Sequence, residues 1–223
     1  MAKWTGKVER ELRVWNNPKL TDDIYLHFSE ILEKVKFYAL RFRGKVLDVG
    51  AGKSPYRQFF RNASEYIRLD NYDYEGIDIK ADITKGIPLK SNSVDGVVCF
   101  QVIEHVMAPG EVVDEIYRVA KKGSPVLLTT NMAVPLHGEP YDYYRFTKYA
   151  LSELFKKFRH VEIKPNGGSV LSIIQLIVWG ISEKAPSFLA KPLIVAFNSI
   201  GRKADKIMYN DKFTLNYSVF AVK

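Results

Sequence analysis

Val46-Leu47-Asp48-Val49-Gly50-Ala51-Gly52-Lys53-Ser54-Pro55-Tyr56 is the stretch whose reading decides the fold. Residues 45–49 (KVLDV) form an apolar run of strand length that passes directly into a G-x-G turn. Ser54 stands where a helix cap belongs and Pro55 at the first helical position, so a helix is expected to follow. The two glycines let the backbone approach a nucleotide-like ligand closely. Asp70 lies twenty residues beyond Gly50, after the run YIRL, where a carboxylate can accept both hydroxyls of a ribose.

The third glycine of the dinucleotide fingerprint is absent, and Pro55 holds its place. Nothing in the loop therefore favours a pyrophosphate at a helix N-terminus. Asp48 instead places an anion just inside the strand end. That arrangement suits a ligand carrying an amino group and a sulfonium.

Outward from this loop, strands alternate with helices. On the N-terminal side, residues 21–43 carry apolar side chains at helical spacing, with Thr21-Asp22-Asp23 as the expected cap. On the C-terminal side come short apolar runs at 66–69, 77–79, 94–100 and 126–130, with a helix expected over 111–120. Residues 158–163 and 217–222 supply a sixth and a seventh strand. The fold class this predicts is α/β: a Rossmann-like, seven-stranded, mostly parallel sheet with helices on both faces. An N-terminal helix (1–43) precedes a ligand-binding core (44–168). An apolar helical insertion (169–210), divided at Ala185-Pro186, precedes the last strand (211–223), all read as a single domain.

Composition limits the class. With 223 residues, the chain can bury about 70% of its unfolded surface. The single cysteine, Cys99, rules out an internal disulfide or a multi-cysteine zinc site. No leader-like apolar segment opens the sequence and no apolar run reaches spanning length, so a cytoplasmic protein, at most peripheral to a membrane, is expected. The net charge is +8, but residues 46–139 carry −3 and the rest +11. The flanks are thus the part able to meet something anionic.

The glycine loop, Asp70, Ala81-Asp82-Ile83 with Ile87-Pro88-Leu89, Ser93-Val94-Asp95-Gly96-Val97-Val98, Gln101-Val102-Ile103-Glu104-His105-Val106 and residues 115–123 occur in one order. Together they resemble the class I S-adenosylmethionine (SAM) dependent methyltransferases, and within them the methyltransferase type 11 family, over residues 44–160. The resemblance implies an enzyme that uses SAM. It puts Asp48, Gly50 and Gly52 beside the methionyl part, Asp70 on the ribose, Asp82 on the adenine amino group with Ile83 against the ring, and Gln101 beside the sulfonium.

The acceptor side is less determined. A hydroxyl acceptor needs a general base, and two of the four histidines, His105 and His137, follow strands four and five, where open α/β sheets bind ligands. His137 is the preferred base. In some relatives a Glu-x-x-Glu-His arrangement binds a metal. Here Gln101 replaces the first carboxylate, so no metal is expected. Tyr143, Tyr144 and Arg145, in a segment of four aromatics, resemble one found in members linked to glycan or glycolipid assembly, with aromatic faces for a ring and a guanidinium for an anion. The expected acceptor is a small molecule or a glycan- or lipid-linked group, methylated at O or N, and nucleic acid is not favoured. The alternatives are an RNA or protein methyltransferase and a SAM-binding regulatory protein without catalysis. The insertion reads as a lid, a membrane contact or a homodimer interface.

Overall fold

The computed structural model describes residues 12–223. In chain order the elements are α1 (Tyr25–Ala39), β1 (Gly44–Val49), β2 (Ala63–Asp70), β3 (Ile79–Lys80), β4 (Gly96–Phe100), α2 (Pro109–Val119), β5 (Pro125–Asn131), α3 (Lys148–Leu154), β6 (His160–Pro165), α4 (Ser169–Lys184), α5 (Ser187–Ile207) and β7 (Asn216–Val222). The strands make one seven-stranded sheet in the order β3-β2-β1-β4-β5-β7-β6. β1 pairs in parallel with β2 and β4, as do β2 with β3 and β4 with β5. The last two strands run antiparallel: Arg159 N–H donates to Val222 O while Asn166 N–H donates to Asn216 O. The predicted α/β class and strand count are what the chain adopts.

Every residue of β4 is buried, as are the last four of β1. Strands covered on both faces need near-continuous apolar runs, and VVCF supplies one, while VLDV is apolar except for Asp48. Their packing partners include Val112, Val113, Ile116 and Val119, the buried stripe of α2. The chain order reverses between β1 and β4. In open α/β sheets that switch point opens a crevice at the carboxyl ends of the two strands.

Two local expectations are corrected. No α-helix follows the glycine loop, only a single 3-10 turn at Arg57–Phe59. Gly50, Gly52 and Ser54 all adopt left-handed φ (67°, 50° and 47°), and the Ser54 hydroxyl donates to Asp48 Oδ2 at 3.0 Å instead of capping. The 13 residues between β1 and β2 are used up by this winding turn. Ahead of α1, Asp22 is buried and paired with Arg13. Its oxygens take both ends of the Arg13 guanidinium (2.6 and 2.7 Å) and the Lys19 N–H.

The chain divides into two compact units. One comprises the described residues up to Lys34 together with Pro165–Asn216, and the other Val35–Lys164 with Tyr217–Lys223. In the first, α4 and α5 form a hairpin whose seam is Ile174, Val178 and Ile181 against Ala190, Ile194 and Phe197. Buried polar groups tie it to the segment around α1. Gln175 Nε2 donates to Asp23 O and Asn198 Nδ2 to the carbonyls of Leu20 and Asp22. Asp205 on α5 accepts the N–H groups of Gly168 and Leu171, satisfying donors that the first turn of α4 leaves open. The second unit holds the sheet and all the site residues the sequence singled out.

Candidate active site

The carboxyl end of β1 carries Asp48, 2% exposed. Its Oδ2 accepts hydrogen bonds from Ser54 (3.0 Å) and Tyr66 (2.9 Å), both neutral hydroxyls. Burial pushes its pKa up to about 7 against the pull of those bonds. At Gly50 a Cβ would lie 2.6 Å from Val102 Cγ2, so the backbone passes close under the residue after Gln101. At Gly52 a Cβ would meet nothing within 4 Å, and the backbone there borders open space.

Asp70 ends β2 and is buried. Its two oxygens accept one backbone N–H each, from Gly52 and Tyr72, both at 2.8 Å. Each oxygen keeps a second lone pair for another donor. These bonds fix the carboxylate beside the glycine loop. Gln101, just past β4, has a left-handed φ of 57°, which side chains other than glycine rarely adopt, and its Nε2 donates to Thr129 Oγ1. Asp82 caps the 3-10 turn at Ile83–Lys85. It accepts from Thr84 N and Oγ1, which holds its pKa below the usual value, and Ile83 packs on the main core.

A second group assembles past β4 and β5. Glu104 is fully buried: Oε2 accepts from Thr130 Oγ1 (2.8 Å) and Oε1 from Asn131 Nδ2 (2.7 Å). Burial pushes it up to about 7. The same Asn131 amide nitrogen lies 3.2 Å from His137 Nε2, while Asn131 Oδ1 is buried without a hydrogen-bond partner. His105 and His137 meet edge to face, with ring centroids 4.8 Å apart. Nδ1 of His105 contacts Tyr141 O (2.6 Å) and Nδ1 of His137 contacts Pro135 O (3.2 Å). A carbonyl only accepts, so both rings carry a proton on Nδ1, and the Nε2 of His137 faces the Asn131 amide nitrogen. Burial lowers the His137 pKa, which favours the neutral, basic form. Ligand atoms of Glu104, His105 and His137 lie within 4.8 Å of one another, close enough to share one metal ion.

The aromatic segment is organised by Arg145. All five of its N–H donors are engaged: Nε with Val134 O, one terminal nitrogen with Asp142 Oδ1 and Tyr144 O, the other with Asp142 Oδ2 and Pro135 O. The pair holds Asp142 well below the usual carboxylate range, and Asp142 Oδ2 also accepts the His137 N–H. Arg145 thus braces the loop that presents His137 and has no donor left for an anion. The Tyr144 hydroxyl donates to Met107 O, and Tyr143 is 41% exposed.

The structure therefore brings Asp48, Gly50, Gly52, Asp70 and Gln101 to one stretch of the sheet edge and His105 with His137 to the adjoining one. Thr130 and Asn131 were missed as site residues. The signal was present: a strand reading VLLTTN ends in three polar residues, all buried, and polar groups at a buried strand end need partners.

A family model for a methyltransferase domain, type 11, matches residues 47–128. A SAM-dependent methyltransferase from Archaeoglobus fulgidus superposes with a TM-score of 0.57 at 19% identity, over 89% of this chain and 94% of that one. The phosphoethanolamine N-methyltransferase 2 of Haemonchus contortus, solved with phosphomonomethylethanolamine and S-adenosylhomocysteine, gives 0.55 at 18% identity, over 96% of this chain and 60% of that one. The [4+2]-cyclase SpnF gives 0.58 at 15% identity, over 88% and 82%. No curated protein matches the sequence.

Proposed function

We propose that this chain, which carries a methyltransferase domain and has the class I SAM-dependent fold, transfers the SAM methyl group to a small-molecule or glycan- or lipid-linked acceptor, at oxygen or nitrogen. One observation carries the acceptor half of this reading. Two imidazoles, each with Nδ1–H tied to a backbone carbonyl, meet edge to face past the strand ends that flank the proposed cofactor crevice.

The residues present fit the cofactor. SAM carries a positive amino group and a sulfonium, and Asp48 is a buried carboxylate held only by neutral hydroxyls. Gly52 offers open space at the loop, and Asp70 retains lone pairs for ribose hydroxyls. Asp82 and Ile83 would border the adenine and Gln101 the sulfonium. When bound, SAM supplies an electrophilic methyl group.

The chain's own residues then have two tasks. Tyr143 and Tyr144 offer aromatic faces against which an acceptor ring can rest, holding its nucleophile on the methyl axis at about 3–3.5 Å. His137 Nε2, exchanging its contact with the Asn131 amide for the acceptor, takes the acceptor's proton as the new bond to carbon forms. Its Nδ1–H stays on Pro135 O with the Asp142 carboxylate 3.5 Å away, which favours the imidazolium that results. His105, beside it, is the second candidate. With an amine acceptor, positioning suffices and the base matters less.

A second reading rests on the convergence of Glu104, His105 and His137: one divalent ion held by all three would activate an acceptor hydroxyl directly. Calorimetry and activity measurements separate these. SAM and S-adenosylhomocysteine should bind where NADH does not, and methyl transfer should survive EDTA. Binding of NADH without SAM overturns the assignment, and loss of activity restored by magnesium establishes the metal reading.

A further inference from the structure

We infer that the α4–α5 hairpin docks on an anionic lipid surface through its outer face, independently of which acceptor the enzyme methylates. On α4, Ile173 (52% exposed), Leu176 (36%) and Ile177 (43%) stand free. On α5, Leu189 (48%), Leu193 (43%) and Ile200 (56%) do the same, and Phe188 (75%) sits at the turn.

These stripes share one face. On α4, Gln175 and Ser182 mark the side bonded to Asp23, while Ile174, Val178 and Ile181 meet α5. At 100° per residue, Ile173, Leu176 and Ile177 fall opposite the Gln175–Ser182 side. On α5, Asn198 bonds Leu20 and Asp22 and Arg202 bonds Tyr25, and Ala190, Ile194 and Phe197 meet α4. Leu189, Leu193 and Ile200 lie across from the Asn198–Arg202 side. Both apolar stripes therefore face away from α1.

Charge selects the occupant. Between residues 169 and 207 the acids are Glu183 and the buried Asp205, against five basic residues, of which Lys184 falls in the α4 stripe and Lys203 flanks that of α5, while Lys191 and Arg202 lie on the α1 side and Lys206 between. The four lysines are exposed. A protein–protein interface is depleted in lysine, whereas an interfacial helix pair places an apolar face in the acyl boundary and lysines at the headgroups. Neither helix is long and apolar enough to cross a membrane, so the hairpin would lie in the interface.

Sedimentation with vesicles of phosphatidylglycerol and phosphatidylcholine, compared with phosphatidylcholine alone, tests this. The protein should pellet with the mixed vesicles and far less with the neutral ones. Lys184→Ala and Lys203→Ala should each weaken binding about fivefold, the effect of one basic residue near an anionic surface. Leu193→Asp should weaken it about tenfold or more while circular dichroism stays unchanged. Absence of pelleting with mixed vesicles at low salt overturns the inference, as does equal binding by Leu193→Asp. A dimer that Leu193→Asp converts to monomer in analytical ultracentrifugation assigns the face to a second copy instead, and also overturns it.

Discussion

The two halves of the site treat negative charge in opposite ways. Past β5, Asp142 is clamped by both terminal nitrogens of Arg145 at 2.7 Å, and its charge is cancelled inside the loop. Past β1, Asp48 is deeply buried, and the hydrogen bonds to its carboxylate come from the hydroxyls of Ser54 and Tyr66, with no arginine among the described residues bonded to it. A carboxylate paired with arginine is a structural brace. One left in a buried site without a cation is set for a positive ligand. The contrast separates the part of the site that holds its own shape from the part that a ligand completes.

Three experiments press on that contrast. The largest effect is expected from Gly50→Val. The new side chain would need a left-handed φ and would begin 2.6 Å from Val102, forcing the glycine loop away from the turn after β4. Calorimetry should find SAM binding reduced below detection in a protein that remains folded by circular dichroism. Retained binding would detach the glycine loop from the cofactor.

Next, His137→Ala should lower turnover on a hydroxyl acceptor by about 10²–10⁴-fold, with SAM affinity nearly unchanged. A tenfold or greater loss of SAM affinity would move His137 to the cofactor half and blur the comparison. If turnover holds in both His137→Ala and His105→Ala, the acceptor is an amine or the base is a carboxylate.

The smallest effect is a pH dependence. Because Asp48 ionises near 7 in the folded chain, SAM affinity should rise as pH goes from 6 to 8, by about tenfold if only the ionised form binds. Asp48→Asn should flatten that slope. Stability runs the other way. A carboxyl whose folded pKa is raised binds its proton more tightly folded than unfolded. Asp48 and Glu104 therefore stabilise the fold least above pH 7, and stability from these groups falls as pH climbs from about 4 to 7. Isothermal titration across pH, with chemical denaturation of the unliganded protein, reads both.

The sheet was legible because buried strands such as GVVCF and VLLTTN differ sharply from the polar turns between them. The turn after β1 was legible because two glycines after a strand constrain the backbone strongly. What could not be read was where hydroxyls and amides point. Ser54 has the sequence context of a helix cap, yet its left-handed φ turns the hydroxyl to Asp48. Arg145 has the composition of an anion clamp, but its loop folds so that carbonyls from Val134, Pro135 and Tyr144 take the donors that Asp142 leaves. Such contacts depend on backbone turns that no spacing rule encodes. Asn131 lies 27 positions from Glu104 in sequence and meets it only through the register of neighbouring strands.

The burial of Asp48 has a consequence outside catalysis. A cationic cofactor seated against it would serve as its counter-ion, and the empty enzyme would forgo that relief. Ligand that binds only the folded chain stabilises it by an amount set by the ratio of free concentration to dissociation constant, about 2.7 kcal/mol at a hundredfold excess. The lifetime of this protein in a cell would then follow the supply of methyl donor: plentiful donor would keep it folded, and scarcity would expose it first to unfolding and then to proteases.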